Sequence, residues 1–206
     1  MNRQNPTVFV IDDDAAVRDS LKYLIESVGH RVRTFASANE FLDACTTEHA
    51  GCILADVRMP GMSGLELQER LVARAILMPT IIITGHGDVA MAVRAMKAGA
   101  LDFIEKPFSD QVLLDQIHVA LERDTREREK RDRQRRIQDR FSLLSPRERT
   151  VMDKVVAGKS NKTIAAELGL SQKTVEVHRA HVMAKVKADS LAQLVHMALQ
   201  NGLTAQ

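Results

Sequence analysis

Cysteine is scarce in this sequence, and a long apolar run is absent. The 206 residues include two cysteines, Cys45 and Cys52, in neither a CxxC nor another metal-type spacing, which argues against a disulfide framework and a zinc site. No apolar run approaches the roughly 20 residues that a membrane-spanning helix needs, and the N-terminus MNRQNPTVFVIDDD lacks the basic-then-apolar pattern of a signal peptide. The expectation is a cytoplasmic protein without a membrane partner.

Charge is distributed unevenly along the chain. The net charge is only +2, yet residues 1–121 carry 11 Lys and Arg against 16 Asp and Glu, whereas residues 141–206 carry nine against five. The length also exceeds the usual single-domain size of about 100 to 150 residues. These features predict an acidic domain followed by a basic one, for which nucleic acid is the first partner to consider.

Polar side chains follow four apolar, strand-like runs. TVFVI is followed by Asp12–Asp14, CILA by Asp56, IIIT ends in Thr84, and LDFIE is followed by Lys106. In a parallel α/β sheet, sites form outside the carboxyl ends of the strands, so these groups are expected to converge on one crevice. An acid cluster with a lysine and a hydroxyl suits a divalent cation and a phosphoryl group.

Strand-like and helix-like patterns alternate through the first half of the chain. The predicted strands span residues 7–11, 31–35, 51–55, 79–84 and 101–104, and the predicted helices span 15–28, 37–46, 64–75 and 88–98. Strands such as IIIT and CILA are continuously apolar, as expected when both faces of a sheet are covered. Right-handed crossovers then predict an α/β fold, a five-stranded doubly wound parallel sheet.

A charged run, ERDTREREKRDRQRRIQDRF, occupies residues 122–141. It lacks Gly and Pro and mixes both charge signs at helical spacing, which predicts a long solvated helix acting as a linker. A dimeric coiled coil is the alternative, although apolar residues are missing from heptad positions until Ile137 and Phe141.

The last segment predicts four short helices. Ser145-Pro146 with Glu148 marks one helix start, Gly169 ends the second helix, and Ser171 caps the third. The unit NKTIAAELGLSQKTVEVHRAHVMAKV is a helix, a short turn containing Gly, and a second helix. This helix-turn-helix pattern is typical of proteins that place the second helix in the major groove of DNA.

Both ends of the chain resemble known families. Residues 7–121 resemble the CheY-like receiver domain of two-component response regulators, and residues 142–203 resemble the LuxR/NarL-type helix-turn-helix. The segment TGHGDVAMAVRAMKAGALDFIEKPF and the motifs SPRER, NK.IA and TVEVHRA.VMAK are similar to sequences of the FixJ group within that family. The resemblance implies a receiver over 1–121, a charged helical linker over 122–141, and an all-α four-helix DNA-binding domain over 142–206.

The resemblance implies that Asp56 accepts a phosphoryl group from a sensor histidine kinase. The implied cofactor is Mg²⁺, a hard cation that prefers oxygen ligands and keeps several waters. Asp13, Asp56 and the backbone carbonyl of Arg58 would hold the metal, with Asp12 acting through water in the outer shell. Asp14 is expected to contact solvent or water rather than metal.

Other residues would bind the phosphoryl group or respond to it. Lys106 would pair with the phosphoryl oxygens, with a cis bond before Pro107. Thr84 would donate its hydroxyl to the phosphate, and Phe103 would change rotamer as Thr84 moves, forming a two-state switch. Simple core packing is the alternative for Phe103. His86, between two glycines after Thr84, is interpreted as a loop residue without a chemical role.

The residues expected to touch DNA fall into three groups. Those that reach phosphates are Lys173 and Thr174. Those that face base edges or a thymine methyl are Glu176, Val177, Arg179 and Ala180. Those placed for backbone contacts are Asn161, Lys162, and Lys185 or Lys187. Surface charge without a role in binding is the alternative for these residues.

The resemblance also implies further partners. Phosphorylation would create a homodimer through a surface drawn from Val89–Lys97, Leu101–Ile104 and Val112–Leu121, and the dimer would act on double-stranded DNA and RNA polymerase.

Two other functions fit part of the pattern. A phosphatase-like hydrolase shares the aspartyl-phosphate chemistry and Mg²⁺, but it usually needs a second Asp two residues after the nucleophile, where this chain has Arg58. The second is a receiver whose output domain binds protein or RNA. The helix-turn-helix pattern NK..IA..L..S..TVE.H disfavours this function. The expected function is a transcription factor and not an enzyme, and the kinase, the operator and the resting oligomeric state stay open.

Overall fold

Five parallel strands form one sheet in the N-terminal part of the chain. The computed structural model describes residues 5–85, 89–200 and 202. The strands are β1 (Thr7–Ile11), β2 (Arg31–Phe35), β3 (Gly51–Asp56), β4 (Thr80–Thr84) and β5 (Asp102–Glu105), in the order β2-β1-β3-β4-β5. The predicted strands are therefore confirmed, with ends that move by one residue at most.

Helices cover both faces of this sheet, because strand residues alternate between two hydrophobic cores. One core contains Phe9, Ile53 and Ile82, and the other contains Val8, Leu54 and Ile81. The covering helices are α1 (Ala15–Ser27), α2 (Ala38–Ala44), α3 (Gly64–Ala73), α4 (Val89–Lys97) and the first part of α5 (Asp110–Ser142). The doubly wound α/β fold is confirmed.

Helix α5 continues past the end expected for the receiver. The chain divides into two compact units, Met1–Arg128 and Glu129–Gln206, so the boundary lies inside the predicted linker. Residues 122–128 belong to the first unit because Asp124 is buried and its Oδ2 accepts hydrogen bonds from the Gly51 N–H at 2.8 Å and from Arg128 Nε at 2.8 Å.

The described residues of the second unit form helices joined by short turns. After the end of α5 come α6 (Pro146–Val156), α7 (Asn161–Leu168), α8 (Gln172–Val186) and α9 (Leu191–Gln200). Their core includes Ile137 and Phe141 of α5, so the first apolar positions after the charged run pack within their own unit. The four predicted C-terminal helices are confirmed. None of the described helices is both long enough and apolar enough to cross a membrane.

The turn between α7 and α8 is built by its own residues. Gly169 ends α7 in the left-handed conformation at φ 65°, which glycine adopts without a steric penalty. Ser171 then caps α8, and its Oγ accepts a hydrogen bond from the Thr174 N–H at 3.0 Å. The helix-turn-helix unit predicted from the sequence is therefore present.

Candidate functional site

The carboxyl ends of β1, β3 and β5 bring two carboxylates and an ammonium together. Asp12 follows β1, Asp56 ends β3, and Lys106 follows β5. The Lys106 Nζ lies 3.1 Å from Asp12 Oδ2 and 2.9 Å from Asp56 Oδ1. The predicted convergence of these three side chains is confirmed.

Backbone groups hold each carboxylate in place. Asp12 Oδ1 accepts a hydrogen bond from the Asp14 N–H at 2.9 Å, and Asp56 Oδ2 accepts one from the Arg58 N–H at 2.6 Å. The Asp12 side chain is 6% exposed and the Asp56 side chain 11% exposed. Asp56 is therefore the more accessible of the two carboxylates that Lys106 contacts.

Lys106 stays protonated at neutral pH. Partial burial alone would lower its pKa, but the hydrogen bonds to Asp56 and Asp12, together with the charges of both carboxylates, raise the pKa above its ordinary value. The Lys106–Pro107 bond is cis, as the resemblance implied. The site thus holds one fixed positive charge beside two carboxylates.

The loop after Asp56 is tightly packed against the start of α3. The Gly64 N–H donates to the Val57 carbonyl at 3.1 Å, and a Cβ added at Gly64 would lie 2.3 Å from the carbonyl oxygen of Asp56. Ser63 and Glu66 form a capping box at the start of α3. Gly64 was not among the predicted site residues, although it lies against the backbone of the candidate phosphoacceptor.

The two predicted switch residues lie on neighbouring strands. Thr84 ends β4 and is buried, and Phe103 lies on β5, half-buried against one of the sheet cores. In the strand register Thr84 is opposite Glu105, and Phe103 is opposite Ile82. This placement fits both the switch and the core-packing interpretations of Phe103. His86 lies outside the described residues.

The oxygen donors expected to bind metal lie at the same sheet edge. Asp13 is exposed directly after Asp12, while Asp14 caps α1 by accepting the Ala16 N–H at 2.8 Å. In the part of the chain that the structure describes, no three His, Cys, Asp or Glu side chains are grouped as a metal site. The donors Asp12, Asp13, Asp56 and the Arg58 carbonyl still fit Mg²⁺ chemically, because all are hard oxygen ligands.

The C-terminal unit presents one face of α8 to solvent. Lys173, Glu176, Val177 and Ala180 are exposed on α8, and Lys162 is exposed on α7. Some predicted DNA contacts also form hydrogen bonds within the unit, among them Asn161, Arg179 and Lys185. Arg179 Nη1 donates to Asn161 Oδ1 at 2.6 Å, and Lys185 Nζ donates to Glu148 Oε2 at 2.7 Å.

Both halves of the chain match known families. A model of the response regulator receiver domain matches residues 8–118, and a model of the luxR family of bacterial regulatory proteins matches residues 142–198. The chain belongs to the response regulators. This response regulator combines a receiver with a LuxR-type helix-turn-helix domain, as its sequence predicted, and it is a transcriptional response regulator. Its family is generally non-enzymatic.

Similar proteins match over nearly the whole chain. The transcriptional regulatory protein FixJ of Azorhizobium caulinodans is 51% identical over 95% of this chain and 93% of its own length. FixJ of Bradyrhizobium diazoefficiens is 47% identical, with 95% and 96% covered. The solved structure of the response regulator StyR gives a TM-score of 0.89 at 47% identity, covering 96% of this chain and 100% of StyR.

The sequence did not predict that Asp124 and Glu148 are buried carboxylates, nor that each bonds to a group far away in the chain. Glu148 was recognised only as part of a helix start, from the pattern Ser145-x-x-Glu148. No local pattern marks Asp124, because a charged residue in a charged helix is ordinarily solvated.

Proposed function

We propose that Asp56 is the phosphoacceptor of this response regulator and that a sensor histidine kinase is the phosphoryl donor. The observation that carries the proposal is the Lys106 ammonium, which contacts Asp56 Oδ1 at 2.9 Å. A carboxylate oxygen of Asp56 attacks the phosphorus, a P–O bond forms as the P–N bond to the kinase histidine breaks, and the product is an acyl phosphate. Lys106 offsets charge on the phosphoryl oxygens.

The carboxylate environment favours Asp56 over its neighbours. Asp12 is more deeply buried and also accepts the Asp14 N–H, and Asp14 caps a helix. Receiver domains of this type generally bind Mg²⁺ at the acidic phosphorylation site. Here Asp13, Asp56 and the Arg58 carbonyl would hold the ion, with Asp12 in its outer shell, and the ion would neutralise phosphoryl charge.

Phosphorylation would act through Thr84 and Phe103 on the surface of α4, β5 and α5, creating a homodimer. Apolar side chains on that surface are exposed, including Val89 at 81% and Val112 at 49%, which supports a role in pairing. The dimer would then bind promoter DNA in the cytoplasm and act on RNA polymerase.

Helix α8 would read the major groove. Glu176, Val177 and Ala180 would face bases and Lys173 would contact phosphate, since these four are exposed on α8. Arg179 would reach a base with guanidinium donors other than Nη1. The remaining proposed backbone contacts are Asn161, Lys162 and Thr174, whereas Lys185 is bonded to Glu148 within the unit.

Replacing Asp56 by Asn tests the receiver. The wild-type chain, treated with acetyl phosphate and Mg²⁺, should gain one phosphoryl group by mass, form dimers by analytical ultracentrifugation and bind promoter DNA more tightly. Asp56→Asn should lose all three responses, whereas Asp19→Asn, at an exposed position of α1, should keep them. Retention of the responses by Asp56→Asn would rule out the assignment.

The same sample separates a receiver from a hydrolase. A receiver takes up phosphoryl groups stoichiometrically, whereas a hydrolase turns over phosphate monoesters continuously. The residue two positions after Asp56 is Arg58, which is exposed and is not an acid. Continuous release of phosphate from a monoester would favour the hydrolase.

Replacing Arg179 by Ala tests the DNA-reading face. A bidentate contact to guanine is worth about 1 to 3 kcal/mol, so binding to a cognate site should weaken by that amount and discrimination at one base pair should relax. An unchanged binding constant would remove Arg179 from the readout.

A further inference from the structure

One buried carboxylate joins two helices of the DNA-binding unit. Glu148 lies in the first turn of α6, and its side chain is 6% exposed. Its Oε2 accepts the Ser145 N–H at 2.7 Å, and the same oxygen accepts Lys185 Nζ at 2.7 Å. Glu148 thus caps α6 and fixes the last turn of α8 against it.

The ammonium of Lys185 is bonded to a buried carboxylate. A buried carboxylate that loses its cationic partner is left uncompensated, which is strongly unfavourable. The hydrogen bond from Lys185, followed by that from the Ser145 backbone, lowers the pKa of the Glu148 carboxyl to about 2, so this carboxyl is ionised throughout the neutral range. Any movement of the Lys185 ammonium away from Glu148 toward a DNA phosphate would weaken this pair.

The other lysines proposed to contact DNA differ from Lys185. Lys173 at the start of α8 and Lys162 at the start of α7 are exposed, whereas the Lys185 side chain is only 39% exposed. His181, one turn before Lys185, also faces the carboxylate, with Nδ1 3.7 Å from Glu148 Oε1. His181 and Lys185 therefore both lie beside the Glu148 carboxylate of α6.

We infer that Lys185 is a positioning residue for DNA reading, which holds α8 against α6 through Glu148, and that it makes no phosphate contact. The inference rests on the proposed role of α8 in reading DNA. It predicts that Lys185 affects how well the base-reading side chains are placed, while Lys173 affects the electrostatic part of binding.

The salt dependence of binding distinguishes the two roles. Each neutralised phosphate adds about 0.9 to the slope of log affinity against log salt concentration. The probe is a duplex selected from a random-sequence pool by the wild-type, full-length protein. Lys173→Met should reduce the slope by about 0.9, whereas Lys185→Met should keep the slope and weaken binding by about tenfold at every salt concentration, roughly the loss of one base contact.

Glu148→Gln provides a second variant, because glutamine can still close the helix cap while the charge is lost. It should weaken binding without lowering the slope, and the double variant with Lys185→Met should bind no worse than the weaker single variant. If Lys185→Met folds poorly, this variant carries the test alone.

Three outcomes are separable. A slope reduced by about 0.9 in Lys185→Met would make Lys185 a phosphate contact and overturn the inference, and so would unchanged binding by Glu148→Gln. Failure of the wild-type protein to bind or select any duplex would instead overturn the proposed DNA-binding function.

Discussion

Replacing Arg128 by Ala should destabilise the receiver unit far more than replacing a neighbouring arginine. Arg128 Nε lies 2.8 Å from Asp124 Oδ2, and its Nη2 donates to the His49 carbonyl. The Asp124 side chain is 2% exposed, and its Oδ2 also accepts the Gly51 N–H at the start of β3. The substitution therefore leaves a buried carboxylate without its cation.

The magnitude follows from burial. Removing one partner of a buried ion pair costs about 3 to 5 kcal/mol, because the remaining charge is uncompensated. Since the Arg128 side chain is 26% exposed, water screens part of the charge, and the expected loss is at the lower end, about 3 kcal/mol. The loss should appear as a fall of roughly 1 to 2 M in the urea midpoint, for a slope of about 2 kcal/mol/M.

Arg126 is a matched control in the same helix. It pairs with Glu122 at 3.0 Å with the same i,i+4 spacing, but the two side chains are 72% and 52% exposed. An exposed helix pair contributes about 0.3 to 0.5 kcal/mol, and the change in helix propensity from Arg to Ala is the same at both positions. The comparison therefore isolates the effect of burial.

Urea unfolding of the full chain, followed by circular dichroism, measures the two losses. Hydrogen exchange of the Gly51 amide, whose acceptor is Asp124, adds a local measurement and should accelerate in Arg128→Ala alone. Equal losses of stability in Arg128→Ala and Arg126→Ala would refute the reasoning, because burial would then have no effect on the pair.

Three other predictions concern single positions. Gly64→Ala should slow phosphorylation of Asp56 by acetyl phosphate, because the added Cβ would lie 2.3 Å from the Asp56 carbonyl oxygen; an unchanged rate would show that the loop can relax. Gly51→Ala should lower the unfolding free energy by about 3 kcal/mol or more, since φ is 136° and the Cβ would lie 1.8 Å from the Thr7 carbonyl oxygen, and calorimetry would measure the loss. The stabilisation from the Glu148 carboxylate should be complete above its ordinary pKa of 4.5 and disappear as pH falls toward about 2. The unfolding free energy of Glu148→Gln should therefore change less with pH in that window than that of the wild-type protein. An equal pH dependence in the two proteins would contradict the assignment.

The fold and the centre of the receiver site could be predicted because both depend on local patterns. Strands buried on both faces are continuously apolar, and parallel strands place their carboxyl ends at one edge. Asp12, Asp56 and Lys106, which end or follow three of these strands, therefore lie together at that edge. Asp14 was different, because its place before a helix is an N-cap signal that the triple-aspartate motif obscured.

The buried ion pairs could not be predicted in the same way. The apolar stripe of α5 ends at Leu121, one turn before Asp124, so hydrophobic periodicity gives no sign that Asp124 is buried. The groups bonded to Asp124 and Glu148 include Gly51, 73 residues away, and Lys185, 37 residues away. Periodicity describes one element at a time, whereas these contacts depend on how elements pack.

Lys106 already contacts two carboxylates in the unphosphorylated chain. These contacts limit how much free energy Lys106 can contribute toward the active state after phosphorylation. Shifting a two-state equilibrium from 1:99 to 99:1 requires about 5.5 kcal/mol of difference between the states, and a hydrogen bond to a charged group contributes about 1.5 to 3 kcal/mol net. Lys106 already makes two such bonds, to Asp12 and Asp56. A new bond to a phosphoryl oxygen would exchange with one of these, and only the difference would favour the active state. If Asp56 is the phosphoacceptor, groups other than Lys106 must supply most of the bias, and Thr84, at the end of the adjoining strand, is one polar group that could contribute to it.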